Sequence, residues 1–122
     1  MSTREKDKNK SRSKLFRLTA RYFRKKGYRV ERKETEMEGS SGLLRKFDLV
    51  VQRGPSPQGV RIKDWNRTIG INVIINLDQA SDDAGLSNPI IIGDKFSDHA
   101  KSYANRRKIM LLTKRRLAQD LS

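Results

Sequence analysis

The sequence predicts a single domain of the α/β class, in which helices cover the faces of a mixed β-sheet. Two observations predict this class. The segment after the charged N-terminus carries apolar residues at helical spacing. The second half of the 122-residue chain then alternates short apolar runs, typical of buried strands, with amphipathic helical patterns.

The first predicted element is a helix over residues 13–26. Leu15, Leu18 and Tyr22 recur at spacings of three and four, which places them on one side of a helix. Basic residues fall largely on the other side. Gly27 stands where a helix C-cap is expected, so the helix is predicted to end just before it.

A β-hairpin and a central strand follow in the prediction. Residues 28–38 and 43–52 form the two strands of the hairpin, and the Gly-Ser-Ser-Gly sequence of residues 39–42 is typical of the turn between them. Residues 53–66 contain two prolines and are predicted to form a loop. Residues 68–77 are nearly apolar throughout, and we predict that they form the third strand, in the centre of the sheet.

The remaining elements alternate between strands and helices. After a polar connection over residues 78–88, a short strand is predicted at 89–92 and a helix at 97–106. A strand over 108–113 and a final helix over 114–121 complete the chain. The predicted order is α-β-β-β-β-α-β-α.

The charge of the chain is strongly positive and concentrated at one end. Lys and Arg number 28 against 14 Asp and Glu, a formal net charge of +14. Residues 1–33 hold 14 of these cations against three acids, and the remainder is nearly balanced. We interpret residues 1–12 as a basic flexible arm and residues 13–122 as one folded domain. Such a distribution is typical of proteins that bind phosphate backbones.

Composition also excludes several classes of function. The chain has no cysteine, which excludes disulfides, thiolate zinc sites and cysteine nucleophiles. Its most apolar run is too short to span a bilayer. The N-terminus lacks the apolar stretch of a secretory signal. We therefore expect a cytoplasmic protein with no membrane partner.

The order of the central segments resembles a known nuclease fold. The segments are GYRVERKETEMEGSSGLLRKFDLVV, then RTIGINVII, then PIIIGDKFSDHAKSYANRRKIMLL. Together they are similar to the restriction-endonuclease-like PD-(D/E)XK nucleases, and most similar to archaeal Mrr-like members. The resemblance covers residues 13–114. It implies a three-layer core in which one strand carries an Asp and the next strand carries Glu-x-Lys.

The resemblance also implies where an active site would lie. In this family two carboxylates hold a divalent metal against the scissile phosphate, and a lysine stabilises the developing charge. Asp48 matches the first carboxylate. In the predicted third strand, Asn72 stands where the second carboxylate is expected and Ile74 stands where the lysine is expected. Asp48 and Asn72 are therefore candidate relics of a catalytic site, with no metal ligand assigned. The other candidates for a relocated group are Lys63, Asp64 and Asp78.

The leading functional hypothesis is a nucleic-acid-binding protein with a catalytically degenerate nuclease-like fold and no cofactor. The resemblance favours DNA, and the basic arm suits structured RNA equally, in a ribosome- or chromatin-associated role. The predicted contacts are basic residues near the two ends of the chain, with Trp65 as an aromatic that can stack on a base. They are Arg12, Lys14, Arg17, Arg21, Arg24, Lys25, Lys26, Arg29, Trp65, Arg106, Arg107, Lys114, Arg115 and Arg116.

Two alternatives from other classes stay open. The first is an active endonuclease with a migrated site, in which Asp48 would help to bind Mg²⁺. The second is a protein–protein interaction module that uses the acidic side chains of Glu34, Glu36 and Glu38. A homodimer is compatible with each of these hypotheses. Trp65 also has a plainer interpretation, as a hydrophobic plug beneath its loop.

Overall fold

The computed structural model describes the backbone of residues 3–122 and the side chains of residues 14–31 and 35–122. Within this part of the chain, the helices are α1 (Thr3–Lys25), α2 (Ile71–Asp83), α3 (Asp98–Arg107) and α4 (Lys114–Leu121). The strands are β1 (Arg29–Glu38), β2 (Leu44–Gln52), β3 (Gln58–Ile62), β4 (Thr68–Ile69), β5 (Ile90–Gly93), β6 (Lys95–Phe96) and β7 (Met110–Thr113).

Five of the strands form one mixed sheet in the order β1-β2-β3-β5-β7. β2 runs antiparallel to both β1 and β3. β5 pairs in parallel with β3, and β7 pairs in parallel with β5. Parallel neighbours need a crossover connection, which α2 and α3 provide in turn. The short strands β4 and β6 form a separate parallel pair.

The helices cover both faces of the sheet, each face with its own apolar core. α1 and α4 pack on one face, where Phe23 and Leu117 are almost fully buried. α2 and α3 pack on the other face, around Leu77. In the central strand β5, Ile92 faces the first core and Ile91 faces the second, which explains why this strand is apolar throughout. No helix in the described part of the chain is long and apolar enough to cross a membrane.

This architecture confirms the predicted α/β class, with a mixed sheet between helical layers. The predicted hairpin is confirmed as β1 and β2. Gly27 follows the end of α1 with a φ of +88°, the left-handed conformation that the predicted C-cap requires. α1 begins at Thr3 rather than near residue 13. The side chains of residues 3–13 lie outside the described part, so the division into arm and domain stays a prediction.

The prediction that residues 68–77 form the third strand is wrong. Only the first two residues are extended, as β4, and the chain then enters α2. Ile74 and Leu77, three positions apart, are fully buried, whereas Asn72 and Asn76, four positions apart, are exposed. This is the spacing of an amphipathic helix. β-Branched residues favour a strand, but the burial of one helical face overrides that preference.

The actual third strand lies in the segment predicted to be a loop. β3 pairs with β2 so that Val60 lies opposite Leu49. The two prolines precede β3 and belong to the connection between β2 and β3. Gly59 allows the strand to pass close to an aromatic ring, because a Cβ at this position would lie 2.6 Å from Cδ1 of Phe47. The strand beside Asp48 is therefore β3, and this changes the residues of the candidate site.

The tip of the hairpin is fixed to the end of α2 by Asp83. The carboxylate accepts hydrogen bonds from the backbone N of Ser41 at 2.8 Å and from its hydroxyl at 2.7 Å. Ser40 Oγ donates at 3.1 Å, and Arg45 Nε donates at 2.8 Å from a side chain that is 22% exposed. These donors, Arg45 first among them, hold the pKa of Asp83 well below its usual range.

Candidate functional site

A pocket opens over β2 and β3 at the position of Asp48. Oδ2 of Asp48 accepts a hydrogen bond from the backbone N of Ile62 at 2.7 Å, which ties the carboxylate to the neighbouring strand. The pocket has a volume of about 440 Å³. Its lining residues are Thr35, Glu36, Lys46, Phe47, Asp48, Arg61, Ile62 and Lys63. Charged side chains dominate this lining, so the pocket suits a charged ligand.

Arg61 holds a fixed position in the pocket. Its Nε donates to the backbone O of Lys46 at 3.0 Å, and its Nη1 donates to Oδ1 of Asn76 at 2.9 Å. The guanidinium carbon lies 5.5 Å from the ring centroid of Phe47. Burial lowers the pKa of Arg61, while the charge of Asp48 acts in the opposite direction. An arginine stays protonated at neutral pH in spite of such shifts, so the pocket contains a permanent positive charge.

Lys63 follows β3 and begins a segment that reaches the start of α4. Its Nζ lies 5.1 Å from the ring centroid of Trp65, and Cζ of Arg67 lies 4.2 Å from the same centroid. One residue before the ring, Asp64 pairs with Nζ of Lys114 at 2.6 Å. Trp65 is half-buried and packs against the core beneath α2 and α3. The ring therefore has a structural role, and its contact with a base stays a prediction.

The basic residues predicted at the two ends of the chain lie mostly on the layer formed by α1 and α4. Helical spacing places four exposed cations of α1 in one stripe, which we call the α1 stripe. Its members are Lys14, Arg17, Arg21 and Arg24. Arg115 and Arg116 are exposed on α4. Arg29 opens β1 and pairs with Glu31 at 3.0 Å. The side chain of Arg12 lies outside the described residues.

Asp120 of α4 engages some of the cations on this layer. Its carboxylate lies 3.4 Å from Nζ of Lys26 and 3.4 Å from Nε of Arg116. The backbone O of Asp120 accepts a hydrogen bond from Nζ of Lys25 at 2.6 Å. Burial favours the protonated carboxyl, but Lys26 and Arg116 outweigh it and lower the pKa of Asp120. These contacts tie the end of α1 to α4, so they serve the fold as well as any ligand.

Arg106 and Arg107 lie on α3, in the opposite layer. Arg107 Nε pairs with Oδ2 of Asp78 at 2.9 Å, and Tyr103 Oη donates to the same oxygen at 2.7 Å. The hydrogen bond to Asp78 is the main cause of the raised pKa of Tyr103, and Asp78 also raises the pKa of Arg107. The predicted nucleic-acid contacts are thus divided between two faces of the domain.

Comparisons with known proteins identify the family of this fold. The family model Mrr_cat, described as restriction endonuclease, matches residues 8–121. The chain belongs to this Mrr-type restriction endonuclease family. A solved structure titled as a protein of unknown function, AF1548, is similar to this chain with a TM-score of 0.73 and 20% identity. That similarity covers 81% of this chain and 56% of the other, so this chain spans little more than half of that protein. No curated protein matches the chain.

Membership of the Mrr family confirms the resemblance, and the sheet gives the second motif a new position. The expected pattern has Glu-x-Lys on the strand beside the strand of the Asp. That strand is β3, and the chain at its end reads Arg61-Ile62-Lys63. Because side chains alternate along a strand, positions 61 and 63 lie on the same face. The Glu-x-Lys pattern that the resemblance implies would therefore have its lysine at Lys63 and its acidic residue at the position of Arg61.

The sequence predicted that Asn72 and Ile74 would stand at the positions of this motif, and that prediction is wrong. Both lie on α2, where Asn72 is exposed and Ile74 is fully buried, and neither lines the pocket. Sequence reasoning missed Arg61 and considered Lys63 only as a relocated group. The signal that could have found them is the alternation of Val60, Arg61 and Ile62 directly after the proline-containing connection.

The described side chains of the pocket do not by themselves fit the divalent metal that is typical of the Mrr family. The described carboxylates in its lining are those of Glu36 and Asp48, and Oε1 of Glu36 lies 3.5 Å from Nζ of Lys46. Among the side chains that the structure describes, no three metal-ligating residues form a cluster. A divalent cation prefers several oxygen ligands with negative charge. The Arg61 guanidinium instead repels a cation at the position of the second ligand.

Proposed function

We propose that this protein binds nucleic acid through phosphate contacts and does not cleave it with a divalent metal. The observation that carries the proposal is Arg61 at the position of the family's acidic ligand. Among the described side chains of the pocket, the cations Lys46, Arg61 and Lys63 outnumber the carboxylates Glu36 and Asp48, which favours an anion over a metal ion. The nuclease family supports a nucleic-acid partner, and the net charge of +14 supports contacts to the phosphate backbone.

Duplex DNA is the preferred partner in this proposal because the family consists of restriction endonucleases. Structured RNA is the competing partner, since phosphate contacts position a protein without reading sequence. The α1 stripe would supply the main contact surface. We further propose a cytoplasmic protein with no membrane partner and no cofactor, as a monomer or homodimer.

The proposal is tested by binding and cleavage assays on one purified preparation. Duplex DNA, single-stranded DNA and a structured RNA are titrated, and each is then incubated with the protein in Mg²⁺ or Mn²⁺. We expect binding that weakens steeply with salt, no cleavage, and no change of affinity when the metal is removed. Asp48→Ala is expected to leave binding intact, because the carboxylate carries no metal in this proposal.

An endonuclease with a migrated acidic ligand is the rival function, and two observations favour it. Asp48 and Lys63 both stand at family positions, and Glu36 offers a second carboxylate in the lining of the pocket. Metal-dependent cleavage by the purified protein, lost in Asp48→Ala and in Glu36→Gln, would replace our proposal with this one. Cleavage that both variants retain would point to a contaminating nuclease, which a repeat preparation should remove.

A further inference from the structure

We infer that the pocket around Arg61 binds a phosphate group of the nucleic acid directly, with the guanidinium in the place that a metal ion takes in a metal-dependent nuclease. The inference rests on the proposed function and names the chemical group that this one site accepts. Three features support it: the free donors of Arg61, the support beneath its guanidinium, and the balance of charge in the lining.

The guanidinium of Arg61 is fixed and still has donors to offer. A guanidinium carries five N–H groups. Its Nε binds the Lys46 backbone O at 3.0 Å, and its Nη1 binds Asn76 Oδ1 at 2.9 Å. The other three N–H groups have no acceptor among the described residues, and the side chain lines the pocket. The two acceptors belong to β2 and α2, which hold the side chain in place before a ligand arrives. A planar, preorganised donor group suits two oxygens of one phosphate.

The ring of Phe47 supports this guanidinium from within the fold. Phe47 is 2% exposed, and its ring centroid lies 5.5 Å from Cζ of Arg61. Gly59 makes room for the ring, because any side chain there would collide with it. The arginine is thus half-buried on an apolar support. A charge-assisted hydrogen bond is stronger in such a site than in bulk water, since the local dielectric constant is lower.

Among the side chains that the structure describes, cations outnumber carboxylates in the lining of the pocket. The side chain of Glu34, which lies on β1 between the partners of Leu49 and Phe47, is outside this set. Lys46, Arg61 and Lys63 stand against Glu36 and Asp48. Glu36 and Lys46 form an exposed pair at 3.5 Å, and Asp48 is oriented by the backbone of β3. A phosphodiester carries a single negative charge and is attracted by the Arg61 guanidinium. The same guanidinium repels a divalent cation, and a neutral base offers it no charge.

The first experiment removes the guanidinium of Arg61 and compares the effect with that of removing the guanidinium of Arg53. We expect Arg61→Gln to weaken binding of a short DNA duplex by about tenfold or more, because a charge-assisted phosphate contact is lost. The dependence of log affinity on log salt should also become shallower by about one. Arg53→Gln removes the same charge from an exposed side chain that contacts Tyr28 and the Lys26 backbone, and it should change little. Equal affinity of Arg61→Gln and the unmodified protein would overturn the inference.

A second experiment observes the pocket without nucleic acid. Inorganic phosphate is titrated while the NMR signals of the Arg61 Nε–H and the Ile62 backbone N–H are followed. We expect saturable shifts in the unmodified protein, and no shift of Ile62 in Arg61→Gln. Unchanged signals in the unmodified protein throughout the phosphate titration would overturn the pocket as a phosphate site.

The charge reversal Arg61→Glu tests whether position 61 corresponds to the acidic metal ligand of the family. It places a carboxylate on the same sheet face as Lys63 and beside the strand of Asp48. We expect the folded variant to lose the response to phosphate and to bind Mn²⁺, seen as broadening of the Ile62 N–H signal. A folded variant with no Mn²⁺ response would overturn the assignment of position 61 to the family's ligand position. If the variant does not fold, Arg61→Gln and the phosphate titration still decide.

The outcomes separate this inference from the function on which it rests. Strong DNA binding that is indifferent to Arg61→Gln leaves the proposed function standing and rejects the pocket. Phosphate binding in the pocket with no binding of any nucleic acid would keep the pocket as a phosphate site and reject the proposed function. Duplexes with 5′-hydroxyl or 5′-phosphate ends, together with a closed circular duplex, distinguish the source of the phosphate. We expect internal phosphodiesters to be bound. The circular duplex should therefore compete with the same strength as the linear duplexes at equal concentrations of base pairs.

Discussion

Arg61 contacts two oxygen acceptors that would be poor neighbours for a carboxylate. The backbone O of Lys46 and Oδ1 of Asn76 both accept hydrogen bonds from its guanidinium. A glutamate at the same position would face these oxygens without a proton to donate, and would have to turn away from them. The surroundings therefore match the arginine and hold its guanidinium in the pocket.

Ser81 gives a test of stability at the same scale. The residue is 1% exposed on α2, and its Oγ has no hydrogen-bond partner among the described residues. A buried hydroxyl without a partner destabilises a protein, and alanine is a better helix former. We expect Ser81→Ala to raise the free energy of unfolding by about 1 kcal/mol in a denaturant titration.

The control for this change is Ser102→Ala, at an exposed position on α3. It gains the same helix propensity without removing a buried polar group, so its effect should stay within about 0.5 kcal/mol. A loss of stability in Ser81→Ala would show that the hydroxyl has a partner in solution, such as a bound water.

At the scale of elements, local signals decided which parts of the fold could be predicted. α1 has clear helical spacing and a C-cap at Gly27. The hairpin of β1 and β2 has a clear turn signal between its strands. α2 has no such signal, because its β-branched side chains suit a strand until Ile74 and Leu77 are known to share a buried face. Asp48 could be found because its strand was predictable. Arg61 was missed because the two prolines before its strand are typical of a loop, and they masked the short alternation of Val60, Arg61 and Ile62.

The junction between the hairpin and α2 should be sensitive to acid. The pKa of Asp83 is lowered in the folded protein, so the carboxylate contributes stability that is fully present above the pKa of the unfolded chain, about 3.9. That contribution is lost as the pH falls towards the folded value. We expect Asp83→Asn to lower the melting temperature at pH 7, and the gap to the unmodified protein to narrow progressively below about pH 4.

The matched control is Asp82→Asn, an exposed carboxylate one position earlier on α2. Its melting temperature at pH 7 should differ from that of the unmodified protein much less than that of Asp83→Asn does. If the curves for Asp83→Asn and the unmodified protein run parallel from pH 7 to about pH 2, ionisation of Asp83 does not stabilise the junction.

At the scale of the whole molecule, the distribution of charge predicts which face meets the phosphate backbone. Removing two members of the α1 stripe, Arg17→Gln with Arg21→Gln, should make the salt dependence of DNA binding shallower by about two, since each phosphate contact releases about 0.9 counterion. Lys95→Gln with Lys101→Gln removes the same charge from exposed positions on β6 and α3. This control should alter the slope much less. Identical slopes in the two double variants would mean that binding follows net charge alone.

The contact of α4 with α1 has a consequence for the time course of folding. Lys25 bonds to a backbone oxygen 95 residues later, and Leu117 fills the core beneath α1. During synthesis, the apolar side of α1 therefore stays partly uncovered until α4 has left the ribosome. Contacts so distant in sequence form late, because a long loop must close first. Until then the nascent chain exposes the apolar face of α1, and a chaperone that shields apolar segments would bind there.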